Sequence, residues 1–333
     1  MQIGTDIDHA AELIRQGKLV VFPTETVYGL GANAFDPFAV ARVFSVKKRP
    51  SFDPLIVHIS SIDQLERLFL SPIDPQVYHL AEAFWPGPLT IVHYKNPEVP
   101  DLVTSGLPTV AVRMPSHPIA LELINKAGAP IAAPSANLFG CLSPTTPGHV
   151  SKQLSEPEYL IDGGPTDFGI ESTVVSVSQQ GVRILRHGAV SEESLALHLR
   201  LITEEEPESN LLPHSPGMLK SHYSPRKPFY VIDGQAEDKF SHGTGMIVSS
   251  SLHIKNFPGL KCLSLSEKGD LNEMAVNLFS VLHRMEDDAD VLQIYIEAIP
   301  EKGIGKAIMD RVRKASYRHS NAEIGVNADI SRP

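Results

Sequence analysis

Pro23-Thr24-Glu25-Thr26-Val27-Tyr28-Gly29-Leu30-Gly31 follows an apolar run, Leu19-Val20-Val21-Phe22, and carries three hydroxyls, a carboxylate and two glycines in one short turn. A turn that only reverses the chain needs far less hydrogen-bonding chemistry. Polar loops at strand ends are where α/β proteins bind ligands, so this stretch predicts a fold class and a site together. Further polar clusters follow, each beside a strand-like run: Lys47-Lys48-Arg49-Pro50, Val112-Arg113, Pro134-Ser135-Ala136-Asn137 and Glu171-Ser172-Thr173.

Working outward, the spacing predicts a helix over 8–16, with Ala10, Leu13 and Ile14 on its apolar face, and a strand over 18–22. A helix over 38–46 takes Asp36 as N-cap and Pro37 as its first residue. Strands over 55–59, 89–93, 109–112 and 130–133 alternate with helices over 61–69, 75–84 and 117–126, and residues 174–177 and 182–185 read as a hairpin. This alternation, with some hairpin neighbours, predicts an α/β domain with a mixed sheet. Glu204-Glu205-Glu206-Pro207 breaks the pattern, and the chain to Pro228 is a linker by composition. Strands over 229–233, 245–249, 261–265 and 291–296, with helices over 271–285 and 306–316, predict a smaller α/β domain. The expected division is therefore 1–203, a linker over 204–228, and 229–333.

A chain of 333 residues suits two domains, and 42% hydrophobic with 20% charged residues is ordinary for a globular protein. A net charge of -10 counts against a protein that coats nucleic acid, although Lys47-Lys48-Arg49 could still hold phosphates. Two cysteines build neither a disulfide framework nor a paired-cysteine metal motif, and fit a reducing compartment. Met1-Gln2-Ile3-Gly4-Thr5-Asp6 carries no basic-apolar signal, and no apolar run has bilayer length, so a cytoplasmic location without membrane contact is expected. His9, His79, His93 and His149 lack ligand spacing, no Walker loop is present, and Gly303-Ile304-Gly305 reads as a helix-entry turn.

On the residues alone, several clusters have two readings. Lys47 and Arg49, on an extended chain, would face one way and grip phosphate oxygens; they equally suit the last turn of a helix. Arg113 ends a strand, where it meets a ligand or an ordinary ion pair. His58 reads as a satisfied structural histidine, and Ser135, Asn137 and Ser143 as turn chemistry or as donors to a ligand. His222-Tyr223-Ser224-Pro225 is an aromatic-basic cluster that a plain tether does not need.

PTETVYGLGANA from Pro23, KKRPSFDPLIVHI from Lys47, FWPGPLTIV from Phe84, VAVRMP from Val110, PIAAPSAN from Pro130, STVVSV from Ser172 and ILRHGAVS from Ile184, in this order, resemble the YrdC-like threonylcarbamoyl-AMP synthases. SPGMLKSHYSP from Ser215 and EKGIGKAIMDRVRKAS from Glu301 resemble the linker and C-terminal domain of the family's long form. The resemblance implies a YrdC-like open twisted mixed sheet with flanking helices, plus a smaller C-terminal Rossmann-like α/β domain. It implies synthesis of L-threonylcarbamoyl-AMP and pyrophosphate from L-threonine, bicarbonate or CO2, and ATP accompanied by Mg2+. The product would serve threonylcarbamoyladenosine modification of ANN-decoding tRNA through a downstream threonylcarbamoyl transferase complex, with tRNA met only indirectly.

By the same resemblance, Lys47 and Arg49 are catalytic and meet the triphosphate, while Thr26, His58, Arg113, Ala133 and Ser172 hold L-threonine. Asp53, Thr109, Ser135, Asn137, Ser143, Arg186 and Tyr223 join Lys47 and Arg49 around ATP, the linker folding back as a lid. No protein metal ligand is assigned. Asp53 stands where the family commonly has Asn, and a carboxylate accepts but cannot donate; it could instead sit near the metal. The run Met218-Leu219-Lys220-Ser221-His222 is less basic than usual for the family. Two other readings are an RNA-binding module that takes double-stranded RNA without turnover, and a carbamoyl-transfer relative; the threonine-pocket residues argue against the latter.

Overall fold

The computed structural model describes residues 1–202, 222–232 and 240–326. Most of the expected linker lies outside the described residues. The chain divides into two compact units, Met1–Phe139 with Ser143–Met218, and Gly140–Leu142 with Leu219–Pro333.

The first unit contains β1 (Gln2–Gly4), β2 (Val20–Pro23), β3 (Tyr28–Asn33), β4 (Ile56–His58), β5 (Leu89–Tyr94), β6 (Thr109–Arg113), β7 (Ile131–Ala132), β8 (Tyr159–Ile161), β9 (Thr173–Ser178) and β10 (Gly181–Arg186). They form one ten-stranded sheet in the order β1-β8-β2-β3-β7-β4-β6-β5-β9-β10. β1 and β2 run parallel to β8, β4 to β6 and β5 to β9, while β2/β3, β3/β7, β4/β7, β5/β6 and β9/β10 are antiparallel. The sheet is therefore mixed, as the alternation predicts.

The continuous apolar run before the opening motif is explained by burial on both faces. Successive residues point to opposite sides: Leu19 and Val21 enter one core with helices Pro37–Lys47 and Pro75–Phe84, while Val20 and Phe22 enter another with helices Ile7–Arg15 and Pro118–Ala127. Ile56, Val92, Ala111, Val174 and Leu185 form a small separate cluster on β4, β6, β5, β9 and β10. On this face the helices Ile7–Arg15 and Pro118–Ala127 pack over the other half of the sheet. The half carrying this small cluster positions the site.

Helix Pro37–Lys47 has the predicted cap, with the Asp36 carboxylate accepting from the Phe38 and Ala39 amides. The predicted helix over 61–69 is instead a 3-10 turn, Ile62–Gln64, followed by the short helix Leu65–Leu68. The opening motif also differs from its reading as one turn. Only Thr24 to Val27 turn; Tyr28 onward is β3, paired antiparallel with β2. Gly31 is there for clearance, since a Cβ would lie 2.8 Å from the Phe22 ring and 2.9 Å from the Ile131 side chain.

The second unit holds β11 (Phe229–Ile232), β12 (Thr244–Ser250), β13 (Lys261–Ser266) and β14 (Gln293–Glu297), all parallel, in the order β11-β14-β12-β13. Helix Leu271–Asp287 buries Met274, Ala275, Leu278, Leu282 and Met285, the apolar stripe its period predicts. Gly303, at φ 52°, leads into the final helix, Gly305–Val326, which is longer than expected. This is the smaller Rossmann-like α/β body. Among the described residues, no helix is long and apolar enough to cross a membrane.

Candidate active site

Arg113 ends β6 and is in register with His58 at the end of β4. The β2–β3 turn supplies its partners. Thr24 Oγ1 donates to the Val27 carbonyl at 2.7 Å and accepts from the Thr26 and Val27 amides. Its proton being committed, the 2.9 Å contact between the two threonine hydroxyls runs from Thr26 to Thr24. Thr26 Oγ1 accepts from Arg113 Nη1 at 2.9 Å, and Arg113 Nε donates to the Gly87 carbonyl at 3.2 Å. Glu25 Oε1 lies 2.6 Å from Arg113 Nη2. This ion pair falls short of a well-aligned hydrogen bond, so Nη2 and both Glu25 oxygens keep bonding capacity.

Burial pushes the Glu25 carboxyl up, but the Arg113 guanidinium, helped by the Ser116 and Glu25 backbone amides, more than offsets this and holds it below its ordinary value. His58 is buried, its Nδ1 has no hydrogen-bond partner, and its ring stands edge-on to Phe22. Burial, with Arg113 beside it, lowers the imidazole from 6.5 to about 3. The contribution of His58 to stability is thus complete above 6.5 and lost as pH falls toward 3, because the unfolded chain takes a proton the fold refuses. The loss is about 1.4 kcal/mol per pH unit in that window. Denaturant melts on acidification should show the wild type losing stability faster than His58→Gln; parallel losses would contradict the assignment.

A second group gathers around Asp53. Lys47 closes its helix and donates Nζ to the carbonyls of Ser135 and Asn137. Lys48 is left-handed at φ 52°, so the chain is not extended through Lys47 and Arg49, as a shared face would require. The two cations converge instead through the turn. Arg49 donates to the carbonyls of Asp53 and Pro54 at 3.0 and 2.9 Å, and its Nη2 lies 2.9 Å from Asp53 Oδ1. Neither Asp53 oxygen has a well-formed hydrogen bond. Burial raises the Asp53 carboxyl, and the opposing charges of Arg49, Lys47 and Arg186 do not overcome it.

Arg186, at the end of β10, donates Nε and Nη2 to the Ser172 carbonyl and Nη2 to Ser172 Oγ at 3.1 Å. Ser172 Oγ also meets Thr90 Oγ1 at 2.8 Å. Gly188 backs directly onto this segment; a Cβ there would lie 2.3 Å from the Ser172–Thr173 peptide. Ser143 Oγ donates to Glu171 Oε1 at 2.5 Å. The Ser143 proton is therefore directed to Glu171. Glu171 and Glu25 are the partners that sequence reasoning left without a role, although both lie inside quoted polar clusters.

Ala133 donates its amide to Ile56, and Ser135 bridges Gly29. Thr109 lines a groove of about 340 Å³ with Val92, Tyr94, Ser176, Arg183 and Leu185. It shares a face of β6 with Arg113, about 13 Å along the strand. Tyr223 belongs to the second unit, where it is buried with φ 63°, its ring 4.1 Å from the His222 ring and 5.7 Å from Phe279.

Among the described residues of the first unit, the buried cations Lys47, Arg49 and Arg186 lie about the buried carboxylate Asp53, and buried Arg113 pairs with buried Glu25. Ions held out of water cost several kcal/mol each unless paired, so such a cluster is a poor device for stability and a good one for an anionic ligand. Lys47 is 1% and Arg49 8% exposed, so of the Lys47-Lys48-Arg49 run only Lys48 is presented at the surface.

Residues 12–188 match the family described as "Telomere recombination" (Sua5, YciO, YrdC), and residues 190–316 that described as "Threonylcarbamoyl-AMP synthase, C-terminal domain". A threonylcarbamoyl-AMP synthase of Pyrococcus abyssi is 43% identical over 328 residues, covering 93% of this chain and 94% of that protein. The chain belongs to the threonylcarbamoyl-AMP synthase family. The Bacillus subtilis threonylcarbamoyl-AMP synthase is 39% identical over 330 residues, covering 93% of this chain and 92% of that one. The crystal structure of P. abyssi Sua5 complexed with L-threonine matches with TM-score 0.84 at 39% identity, over 96% of this chain and 98% of that one. As a member of this synthase family, the protein is an enzyme and not a binding module without turnover.

Proposed function

We propose that the protein makes L-threonylcarbamoyl-AMP and pyrophosphate from L-threonine, bicarbonate or CO2, and ATP. The threonine amine adds to CO2 and loses a proton, giving a carbamate. A carbamate oxygen then attacks the α-phosphorus and pyrophosphate leaves with the bonding pair. Such a reaction asks the protein for positioning and charge neutralisation more than for a nucleophile. The observation that carries the reading is two groups of charges held out of water in one unit: Arg113 with Glu25, and Lys47, Arg49 and Arg186 about Asp53.

In this reading Arg113 takes the threonine carboxylate, with Thr26, His58, Ala133 and Ser172 around the amino acid. A neutral His58 adds no repulsion beside Arg113. Lys47, Arg49 and Arg186 neutralise the triphosphate, and Ser135, Asn137, Ser143 and Thr109 line the nucleotide. Tyr223 is assigned to the nucleotide through the linker. Asp53, whose oxygens take no well-formed hydrogen bond, is the carboxylate that could sit near a magnesium ion brought by ATP, which would screen the phosphate charge. The product would pass to a cytoplasmic transferase that modifies tRNA. Pyrophosphate release from ATP with magnesium and bicarbonate, assayed with L-threonine, L-serine or no amino acid, tests the proposal. Strong dependence on threonine is expected; release indifferent to the amino acid, or none, would refute it.

A further inference from the structure

We infer that Glu25 receives the α-amino group of the substrate, so that the Glu25–Arg113 pair reads both charged ends of an amino-acid zwitterion. The inference rests on the reading of L-threonine as substrate. Glu25 is 1% and Arg113 3% exposed, and the two are 2.6 Å apart; the Ser116 and Glu25 backbone amides also face the carboxylate, yet neither Glu25 oxygen nor Arg113 Nη2 completes a well-aligned hydrogen bond, and a carboxylate has lone pairs for more than these. Buried polar groups are almost always bonded, so an unfilled donor beside unfilled acceptors describes a ligand that supplies one of each. A carboxylate supplies the acceptor for Arg113. It cannot satisfy Glu25, which, ionised beside Arg113, only accepts. The missing donor must come from another part of the same molecule.

The hydrogen-bond directions in the turn sharpen this. Thr26 gives its proton to Thr24 and receives one from Arg113, so any lone pair it offers a ligand also accepts. Two acceptors, Glu25 and Thr26, thus bracket one guanidinium. An α-amino acid places its N–H donors one carbon from its carboxylate, which matches that bracket. The N–H donors persist when the amine loses its proton and when it becomes a carbamate nitrogen, so the contact does not block the reaction.

The test compares two ligands by calorimetry on the full chain. One is L-threonine; the other is its α-hydroxy analogue, 2,3-dihydroxybutyrate of matching configuration, which keeps the carboxylate and side-chain hydroxyl but lacks the amine. The wild type is expected to bind threonine at least about tenfold tighter than the analogue. Glu25→Gln is expected to lose about tenfold for threonine and little for the analogue. Equal losses for both ligands would make Glu25 a positioning residue for Arg113 and overturn the inference. Should Glu25→Gln fail to fold, equal affinity of the wild type for the two ligands would overturn it without any variant. A wild type that binds the analogue but not threonine would refute Glu25 alone, while one that binds neither would remove the proposed substrate first.

Discussion

Arg49→Ala is expected to lower threonine-dependent pyrophosphate release by about a hundredfold or more, and to lower the melting temperature as well. A cation facing a transferring phosphoryl group acts in a dry site where it cannot be replaced by water. Arg49 also does structural work: it holds the carbonyls of Asp53 and Pro54 and pairs with the Asp53 carboxylate, which is fully buried. Removing one partner of a buried pair costs about 3–5 kcal/mol, since the other charge is left alone. Adding Asp53→Asn removes that charge, so the double variant should recover much of the stability and none of the activity. The Asp53 carboxyl is raised, so its stabilising contribution is present below the ordinary value of 3.8 and lost as pH rises through the folded value. Asp53→Asn should therefore flatten stability across that window. A single variant that is unstable yet fully active would take Arg49 out of the site.

Replacing Arg113 by Met should raise the KM for L-threonine by about a hundredfold, with a smaller change for ATP. Met keeps much of the stem's volume, so packing is nearly conserved. The loss is of the guanidinium that bridges Gly87, Thr26 and Glu25. Glu25 would then be buried without its counter-charge. In the wild type its lowered carboxyl contributes stability above the ordinary value of 4.5, lost as pH falls through the folded value. In Arg113→Met that contribution should disappear and the carboxyl should move up. Steady-state kinetics at varied threonine and varied ATP, with melts across acid pH, check both parts. An equal rise in both KM values would mean that Arg113 serves the whole fold and not the amino-acid pocket.

Local chemistry made some of this legible and tertiary packing hid the rest. The cap at Asp36 with Pro37 behind it marked the helix Pro37–Lys47, because both features satisfy backbone groups within a few residues. The run before the opening motif, apolar at every position, marked a strand buried on both faces. The glycines at 29 and 31 read as turn residues because glycine favours turns. For Gly31 the role is clearance for Phe22 and Ile131, and the second of these lies far along the chain. The three-residue strands β1 and β8 carry too few residues for a periodic signal. The site shows the same division. Arg113, His58 and Lys47 stood out as charged or polar residues beside apolar runs. Which oxygen each would meet did not, because Glu171 reaches Ser143 across 28 positions and Arg113 reaches Thr26 across 87. The left-handed Lys48, which turns Arg49 toward Asp53, has no signature in a Lys-Lys-Arg-Pro string.

The most direct test of the proposed reaction is to identify the product formed from ATP, magnesium, L-threonine and carbon-13-labelled bicarbonate. The account predicts threonylcarbamoyl-AMP carrying the label, in equal amount to pyrophosphate, by rapid-quench mass spectrometry. Unlabelled AMP or ADP as the only nucleotide product, with no labelled adduct, would contradict it.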